Sequence, residues 1–155
     1  MALISAGTKE ECNWELPDDY YYHKKDHIWA KLEDGKIRMG LDAFGIWAAG
    51  TLTQMRTFPV GRAIRKDHTF GNIESGKFIG PMRSPVSGKI LEVNDEVVSS
   101  PSMVNDDNYG NWIVLVEASN PDEDLADLPH GEQAIRAWME AELEDFKIKD
   151  LLNCD

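Results

Sequence analysis

Short runs of β-forming residues, interrupted by turns that contain glycine or proline, fill the middle of the chain. Two such runs, Ile28–Leu32 and Lys36–Met39, flank Asp34-Gly35, and this dipeptide between β-type segments is typical of a hairpin. The hydrophobic pattern predicts further strands over residues 51–58, 69–74, 77–82, 89–93 and 112–116. Many short strands joined by tight turns predict a mainly β fold, a small barrel or sandwich.

Helical signals within this β-rich region are few and short. Residues 42–49 are predicted to form a short helix, with Asp42 as its N-cap and Gly50 ending it. Pro101 begins a second helical turn around Met103. These short helices are expected to lie between strands and to interrupt the sheet rather than to replace it.

The end of the chain has the period of a helix. Its apolar residues recur at three- and four-residue intervals, which predicts an amphipathic helix from about Gly131 to Phe146. We expect Trp138 and Met139 on its apolar face to pack the helix against the β domain. The pattern divides the chain into a loosely ordered N-terminal extension (residues 1–18), a β domain (19–120) and a helical tail (121–155).

A weak internal repeat lies within the β domain. The segment Val60–Ile64 resembles Val86–Ile90, and each lies near the middle of a strand-rich half. Two similar halves could interlock about a pseudo-twofold axis, with hairpin turns at opposite ends of the domain.

Composition and charge narrow the classes of partner. Hydrophobic residues make up 42% of the chain, which permits a packed core. The formal net charge is −12, and the densest basic stretch, Arg56–Lys66, holds only four basic residues. Such a surface repels phosphate backbones, so no nucleic-acid binding is predicted. It suits partners that present basic docking surfaces.

Neither a membrane segment nor a targeting signal is visible. No stretch approaches the roughly 18 apolar residues needed to span a bilayer, and the first residues lack the basic and apolar regions of a secretory signal. We therefore expect a cytoplasmic protein with no membrane association. Cys12 and Cys154 lie near the two ends, outside any metal-binding spacing, and are interpreted as reduced thiols.

One turn carries candidate chemistry. In the segment Glu74-Ser75-Gly76-Lys77-Phe78, Gly76 and Lys77 are predicted to be the central residues of a hairpin, with Gly76 supplying the positive φ of a type II′ turn. Lys77 would then project from the tip, where a modifying ligase can reach its amine. A long arm attached there could sweep between several docked partners. Turn chemistry alone favours an ordinary solvent-exposed lysine, because such lysines are common.

The sequence gives less support for a catalytic or metal-binding site than for this exposed lysine. His23 and His27 have a spacing that suits a metal on a helix, but they fall in predicted loop and strand. With His68 and His130 they are interpreted as surface or capping histidines, and no metal site is predicted. A catalytic Lys77 would need a desolvated pocket to lower its pKa, which a hairpin tip does not provide. We therefore do not expect an enzyme.

The surrounding residues give Lys77 a specific interpretation. From about Tyr20 to Val116 the chain resembles the H-protein of the glycine cleavage system, a lipoyl carrier. His27-Ile28-Trp29 matches that family's His-x-Trp, and Glu74-Ser75-Gly76-Lys77 matches its Glu-Ser-x-Lys attachment motif. Behind the lysine, several further matches fall in register: Pro85-Val86-Ser87-Gly88, Glu92-Val93-Asn94, Pro101, Val104-Asn105 and Tyr109-Gly110.

The resemblance implies a fold and a cofactor. The fold is a flattened barrel-sandwich hybrid of two interlocked halves, so residues 19–120 become a lipoyl-carrier domain. The cofactor is lipoate, attached covalently to Lys77, with Glu74, Ser75 and Gly76 as the attachment motif. The protein would then be a substrate of a lipoate ligase or lipoyl-assembly enzymes. Biotin is disfavoured because Gly76 and Phe78 flank the lysine instead of methionines.

Residues beside the lysine depart from the usual H-protein pattern. Gly76 stands where the family usually has Val, Phe78 stands where it has Ala, and Gly80-Pro81 follow. This motif is more similar to the H-protein-like lipoate-binding proteins of bacterial sulfur oxidation. The resemblance implies an arm on Lys77 that carries a sulfur intermediate for a heterodisulfide-reductase-like complex. Two alternatives stay open: an H-protein that carries the aminomethyl group between glycine cleavage enzymes, and an unmodified interaction or regulatory module.

Overall fold

The computed structural model describes residues 3–9 and 12–148. In chain order its strands are β1 (Leu3–Lys9), β2 (Cys12–Pro17), β3 (Tyr21–His23), β4 (Ile28–Glu33), β5 (Lys36–Leu41), β6 (Leu52–Thr57), β7 (Ala63–Ile64), β8 (Thr69–Ser75), β9 (Ile79–Arg83), β10 (Gly88–Val93) and β11 (Val114–Ala118). The helices are α1 (Ala43–Ala49), α2 (Asp95–Ser99), α3 (Met103–Asp106), α4 (Pro121–Leu125) and α5 (Glu132–Ile148).

Antiparallel pairing builds two sheets that enclose the main core. A six-stranded sheet has the order β3-β4-β5-β11-β10-β7, and a three-stranded sheet has the order β6-β8-β9. Phe70, Met39, Ile90 and Val116 are fully buried between them. This confirms the predicted mainly β fold with short helices and a C-terminal helix.

The two repeat segments lie side by side. Ala63 pairs with Lys89 and Ile64 pairs with Gly88, both antiparallel. The Ile90 N–H also donates to the Arg62 carbonyl at 3.0 Å. In the alignment of the two segments, Ile64 corresponds to Ile90 and Arg62 corresponds to Gly88. Exchanging the segments therefore turns the Ile64–Gly88 pair into the Arg62–Ile90 contact, as a local twofold axis between Ala63 and Lys89 requires. The pairing of the repeat segments therefore agrees with the prediction of two interlocked halves.

The N-terminal extension is more regular than expected. Strands β1 and β2 form an antiparallel hairpin instead of a loose lead-in. Trp14 and Leu16 alternate along β2 and are buried, because side chains two apart on a strand share a face. The Arg136 guanidinium of α5 donates to the Ser5 carbonyl at 3.2 Å. The hairpin therefore covers a second hydrophobic cluster beneath α5.

Helix α5 confirms the amphipathic pattern of the tail. Ile135 and Met139 are fully buried, and Trp138 stacks on His27 with ring centroids 4.8 Å apart. The short helix α4 precedes it, and its Pro121 and acidic first turn are favourable at a helix N-terminus. The boundaries at residues 18 and 120 stay a prediction.

Three further predictions concern membrane-spanning helices, metal sites and the cysteines. Within residues 3–9 and 12–148, no helix is long and apolar enough to cross a membrane. The same part of the chain contains no group of three or more His, Cys, Asp or Glu side chains that could hold a metal ion. Cys154 and the side chain of Cys12 lie outside the described structure, so their interpretation as thiols stays a prediction.

Close packing at Gly88 predicts a large cost for a small substitution. A Cβ added there would lie 2.1 Å from the Glu117 carbonyl oxygen, on the neighbouring strand β11. We expect Gly88→Ala to lower the free energy of unfolding by about 1–3 kcal/mol, measured by urea denaturation. Gly76→Ala is the control, since nothing lies within 4 Å of its added Cβ. Equal stability of the two variants would contradict the close approach.

Candidate functional site

The hairpin predicted around Lys77 is present, but its turn differs from the prediction. The Ser75 N–H donates to the Phe78 carbonyl at 2.7 Å, which leaves Gly76 and Lys77 exposed at the tip between β8 and β9. Gly76 is not among the residues with positive φ, so the predicted type II′ turn is wrong. The Ser75 hydroxyl instead supports the turn by accepting the Lys77 N–H at 3.3 Å.

Ser75 also fixes the hairpin to its surroundings. Its side chain is buried, and its hydroxyl donates to the Ala49 carbonyl at the end of α1. One residue earlier, the Glu74 carbonyl accepts a hydrogen bond from the Thr53 hydroxyl at 3.1 Å. The base of the hairpin is therefore held from α1 and from β6, while its tip is free to meet a partner.

The aliphatic stem of Lys77 lies across Gly50. A Cβ added to Gly50 would be 2.9 Å from the Lys77 Cε, and Gly50 has a φ of +83°, which ordinary side chains rarely adopt. The Asn105 amide holds this loop: it donates to the Gly50 carbonyl at 2.9 Å and accepts the Leu52 N–H at 3.0 Å. Sequence reasoning identified Asn105 only as a register match, and the structure gives it this supporting role.

A cleft of about 200 Å³ opens beside the hairpin, between α1 and α5. Phe78 links the two, because it lines the cleft and directly follows Lys77. Most of the lining is apolar: Leu41, Phe44, Ala48, Ala49, Ile73, Phe78, Pro81, Met82 and Phe146. Its charged residues are Lys25, Asp26, His27 and Glu142. The cleft can therefore accept an apolar group beside the hairpin that carries Lys77.

His27 forms one wall of the cleft and is buried rather than exposed, so its interpretation as a surface histidine was wrong. Its Nδ1 contacts Asp42 at 2.8 Å and its Nε2 contacts Glu142 at 2.7 Å. Burial alone would lower the pKa of His27, but the two carboxylates outweigh it and raise the pKa to about 9. The imidazolium at neutral pH therefore donates to both, and it joins α5 to the start of α1.

His23 is buried as well, against the same prediction. Its Nε2 contacts the Asp67 carboxylate at 2.9 Å, and the Asp26 N–H donates to its Nδ1 at 3.2 Å. Burial lowers the pKa of His23, and the nearby Asp26 and Asp67 carboxylates only partly offset this. One Asp26 carboxylate oxygen accepts the Arg83 backbone N–H at 2.8 Å, and the other accepts the Arg83 guanidinium at 2.9 Å. These contacts fix the loop between β3 and β4.

Two interlocked β halves with a lysine at an exposed hairpin tip define a lipoyl-domain-like fold. The crystal structure of a glycine cleavage system H protein from Mycobacterium marinum has this fold. It matches with a TM-score of 0.64 and 30% identity, over 67% of this chain and 87% of that one. The family model for the glycine cleavage H-protein matches residues 20–141. The chain therefore belongs to the glycine cleavage H-protein family.

Individual relatives agree with this assignment. Glycine cleavage system H protein 5 of Aquifex aeolicus is 43% identical over 114 residues, covering 70% of this chain and 77% of the relative. The glycine cleavage system H protein of Oceanobacillus iheyensis is 37% identical over 109 residues, covering 70% and 86%. Proteins of this family carry lipoate and act as carriers rather than catalysts. These names support the glycine cleavage alternative and give no support to a sulfur-oxidation role.

The contacts of His27 predict a loss of stability in mild alkali. Its pKa is about 9 in the folded protein against an ordinary 6.5, so its contribution is full below about pH 6.5 and is lost as the pH rises through about 9. Glu142→Gln removes one carboxylate and should shrink this loss by on the order of 1 kcal/mol, since Glu142 is partly exposed.

Urea denaturation at about pH 6 and about pH 10 measures this difference. Glu144→Gln, which changes the same charge on an exposed position of α5, is the matched control and should leave the pH dependence unchanged. An equal pH dependence in the Glu142 variant and the parent protein would contradict the assigned contact.

Proposed function

We propose that this protein is a lipoyl carrier of the glycine cleavage type, with the lipoyl group bonded through an amide to the Nζ of Lys77. The observation that carries the proposal is the placement of Lys77 at the exposed tip of a hairpin whose base is held by Ser75. A ligase needs an accessible amine, and a carrier needs a fixed point from which its arm can move. The β8–β9 hairpin provides both.

The chain's own residues would hold and orient the group. Ser75 and Asn105 fix the segments on either side of the lysine, and Gly50 leaves room for the lysine stem. Phe78 leads from the attachment point into the apolar cleft, where an arm could rest away from water. When bound, the dithiolane supplies reversible thiol chemistry and, in glycine cleavage, the sulfur that bears the transferred aminomethyl group.

The proposed partners follow from the family. Lipoate ligase or lipoyl-assembly enzymes would load Lys77, and the enzymes of glycine cleavage would then act on the arm in turn. Phe78 and Ile79 are 42% and 75% exposed, and they place an apolar surface directly beside the attachment point. Exposed apolar residues at such a position suit a docking partner. The hypothesis of sulfur transfer rests on Gly76, Phe78 and Gly80-Pro81 beside the lysine, and the comparisons favour glycine cleavage over it.

The attachment site predicts a specific change in mass. Coexpression with a lipoate ligase should add a single lipoyl group to the parent protein, and Lys77→Arg should abolish it while keeping the charge. Lys36→Arg is the matched control, because Lys36 is also an exposed lysine beside a hairpin turn. Intact mass spectrometry reads the result. A lipoyl increment that survives in Lys77→Arg, or is absent from the parent protein, would overturn the proposal.

The reaction partners need a separate assay. With glycine cleavage enzymes from the same source, the lipoylated protein should support the exchange of bicarbonate with the glycine carboxyl group. The Lys77→Arg protein should give only the background rate. If the lipoylated protein gives no more exchange than Lys77→Arg, the carrier serves other enzymes, and a sulfur-transfer assay then becomes the relevant one.

A further inference from the structure

The side chain of Lys77 lies along the residue that ends α1. From the position that a Cβ on Gly50 would occupy, the Lys77 Cε, Cγ and Cδ lie at 2.9, 3.6 and 3.7 Å. These methylene carbons of the stem therefore run against Gly50 instead of extending into solvent. Whatever holds Gly50 in place consequently also limits the directions that the Lys77 stem can take.

One side chain, that of Asn105, holds the segment around Gly50 at two points. Its Nδ2–H donates to the Gly50 carbonyl at 2.9 Å, and its Oδ1 accepts the Leu52 N–H at 3.0 Å. Gly50 has a φ of +83° and no Cβ, so its α-carbon presents an open surface to the stem. The Asn105 amide therefore fixes the peptide groups on both sides of Thr51, and with them the surface that the stem contacts.

These two hydrogen bonds are separable from the packing of the core. Asn105 is an exposed residue of the short helix α3, outside the buried hydrophobic clusters of the described chain. The backbone of Lys77 is held independently, because its N–H donates to the Ser75 hydroxyl at 3.3 Å. Loss of the Asn105 contacts should therefore release the loop and the lysine stem while the hairpin and the core stay in place.

We propose that Asn105 is a positioning residue for the loading of Lys77: it keeps Gly50 beneath the stem and so restricts the directions of the amine before a ligase binds. This inference rests on the proposed function, because loading with lipoate is the reaction concerned. A free lysine side chain loses many rotamers when its amine enters an active site. A stem that is already restricted loses fewer, which is the general advantage of preorganisation.

Loading is a step in which the direction of the amine matters. A ligase supplies lipoate as an acyl adenylate, and the lone pair of the Lys77 Nζ attacks its carbonyl carbon. The amide C–N bond forms, the C–O bond to the phosphate breaks, AMP leaves with the bonding electrons, and a proton passes from the nitrogen to solvent. Attack requires the reacting atoms to be aligned and about 3–3.5 Å apart. A less restricted stem should therefore lower kcat, whereas KM depends on the surface by which the ligase docks.

Asn105→Asp tests the hydrogen bond to Gly50 in the full-length chain. The substitution keeps the oxygen that accepts the Leu52 N–H but replaces the donor to the Gly50 carbonyl with a second acceptor. With lipoate ligase, lipoate and ATP, we expect kcat to fall about five- to ten-fold, the size of one lost hydrogen bond, with little change in KM for the carrier. Asn105→Ala, which removes both bonds and adds no charge, should lower kcat at least as much. An unchanged kcat in either variant, or a loss confined to KM, would overturn the proposal.

Asn111→Asp is the matched control, because it makes the same amide-to-carboxylate change in the loop that follows α3. The Asn111 Nδ2–H donates to the Met103 carbonyl at 2.8 Å, so this variant also loses a bond from a side chain to a backbone carbonyl. It leaves the contacts of Gly50 unchanged and should load Lys77 with the parent kcat. Equal losses of kcat in the two variants would show a general effect of charge or stability and would contradict the proposal.

The contact of the stem can also be measured without a ligase. In the parent protein, a nuclear Overhauser effect should join the Lys77 ε-protons with the Gly50 α-protons, since these groups are adjacent. It should be lost in Asn105→Ala and kept in Asn111→Asp. Its absence from the parent protein, or its persistence in Asn105→Ala, would overturn the inference whether or not Lys77 carries lipoate. Conversely, a lipoylated parent protein whose loading does not depend on Asn105 would remove only the inference and leave the proposed function intact.

Discussion

The hydrogen bonds that join Asp42, His27 and Glu142 are the interaction on which the site depends. His27 donates to a fully buried carboxylate on one side and to a carboxylate of α5 on the other. The second oxygen of Asp42 caps α1 by accepting the Gly45 N–H at 2.7 Å. Breaking a buried ion pair on one side leaves an uncompensated charge, at a cost of about 3–5 kcal/mol. The β3–β4 loop, α1 and α5 are therefore positioned together.

Helix α1 connects these hydrogen bonds with the β8–β9 hairpin that carries Lys77. It begins at the Asp42 cap and ends at Ala49, whose carbonyl accepts the Ser75 hydroxyl. The next residue, Gly50, supports the stem of Lys77 and is itself held by Asn105. The stem of the lysine therefore lies against the residue that ends α1, in addition to being carried by its own turn. A seven-residue helix connects the buried histidine with the exposed amine.

Features that depend on neighbours in sequence could be predicted, and features that depend on distant partners could not. Local patterns were sufficient to predict the hairpin at Asp34-Gly35, the Asp42 cap and helix α5, because each depends on residues close together in the chain. The burial of His27 depends on Glu142, which is 115 residues away, and no local signal points to it. The prediction of a type II′ turn at Gly76 was wrong for a similar reason. The Ser75 side chain constrains this turn through its contacts with the Lys77 N–H and with the Ala49 carbonyl of α1.

Electrostatics acts at two separate ranges in this protein. The net charge of −12 acts at long range on approaching partners, and exposed acidic residues such as Asp122 and Glu123 lie on α4, outside the cleft. Within the cleft, Arg83 and His27 neutralise the carboxylates at hydrogen-bond distance. Salt screens exposed charges beyond about 10 Å but affects short, partly buried pairs much less. Encounter with charged partners should therefore depend on ionic strength, while the ion pairs that line the cleft should be much less sensitive to it.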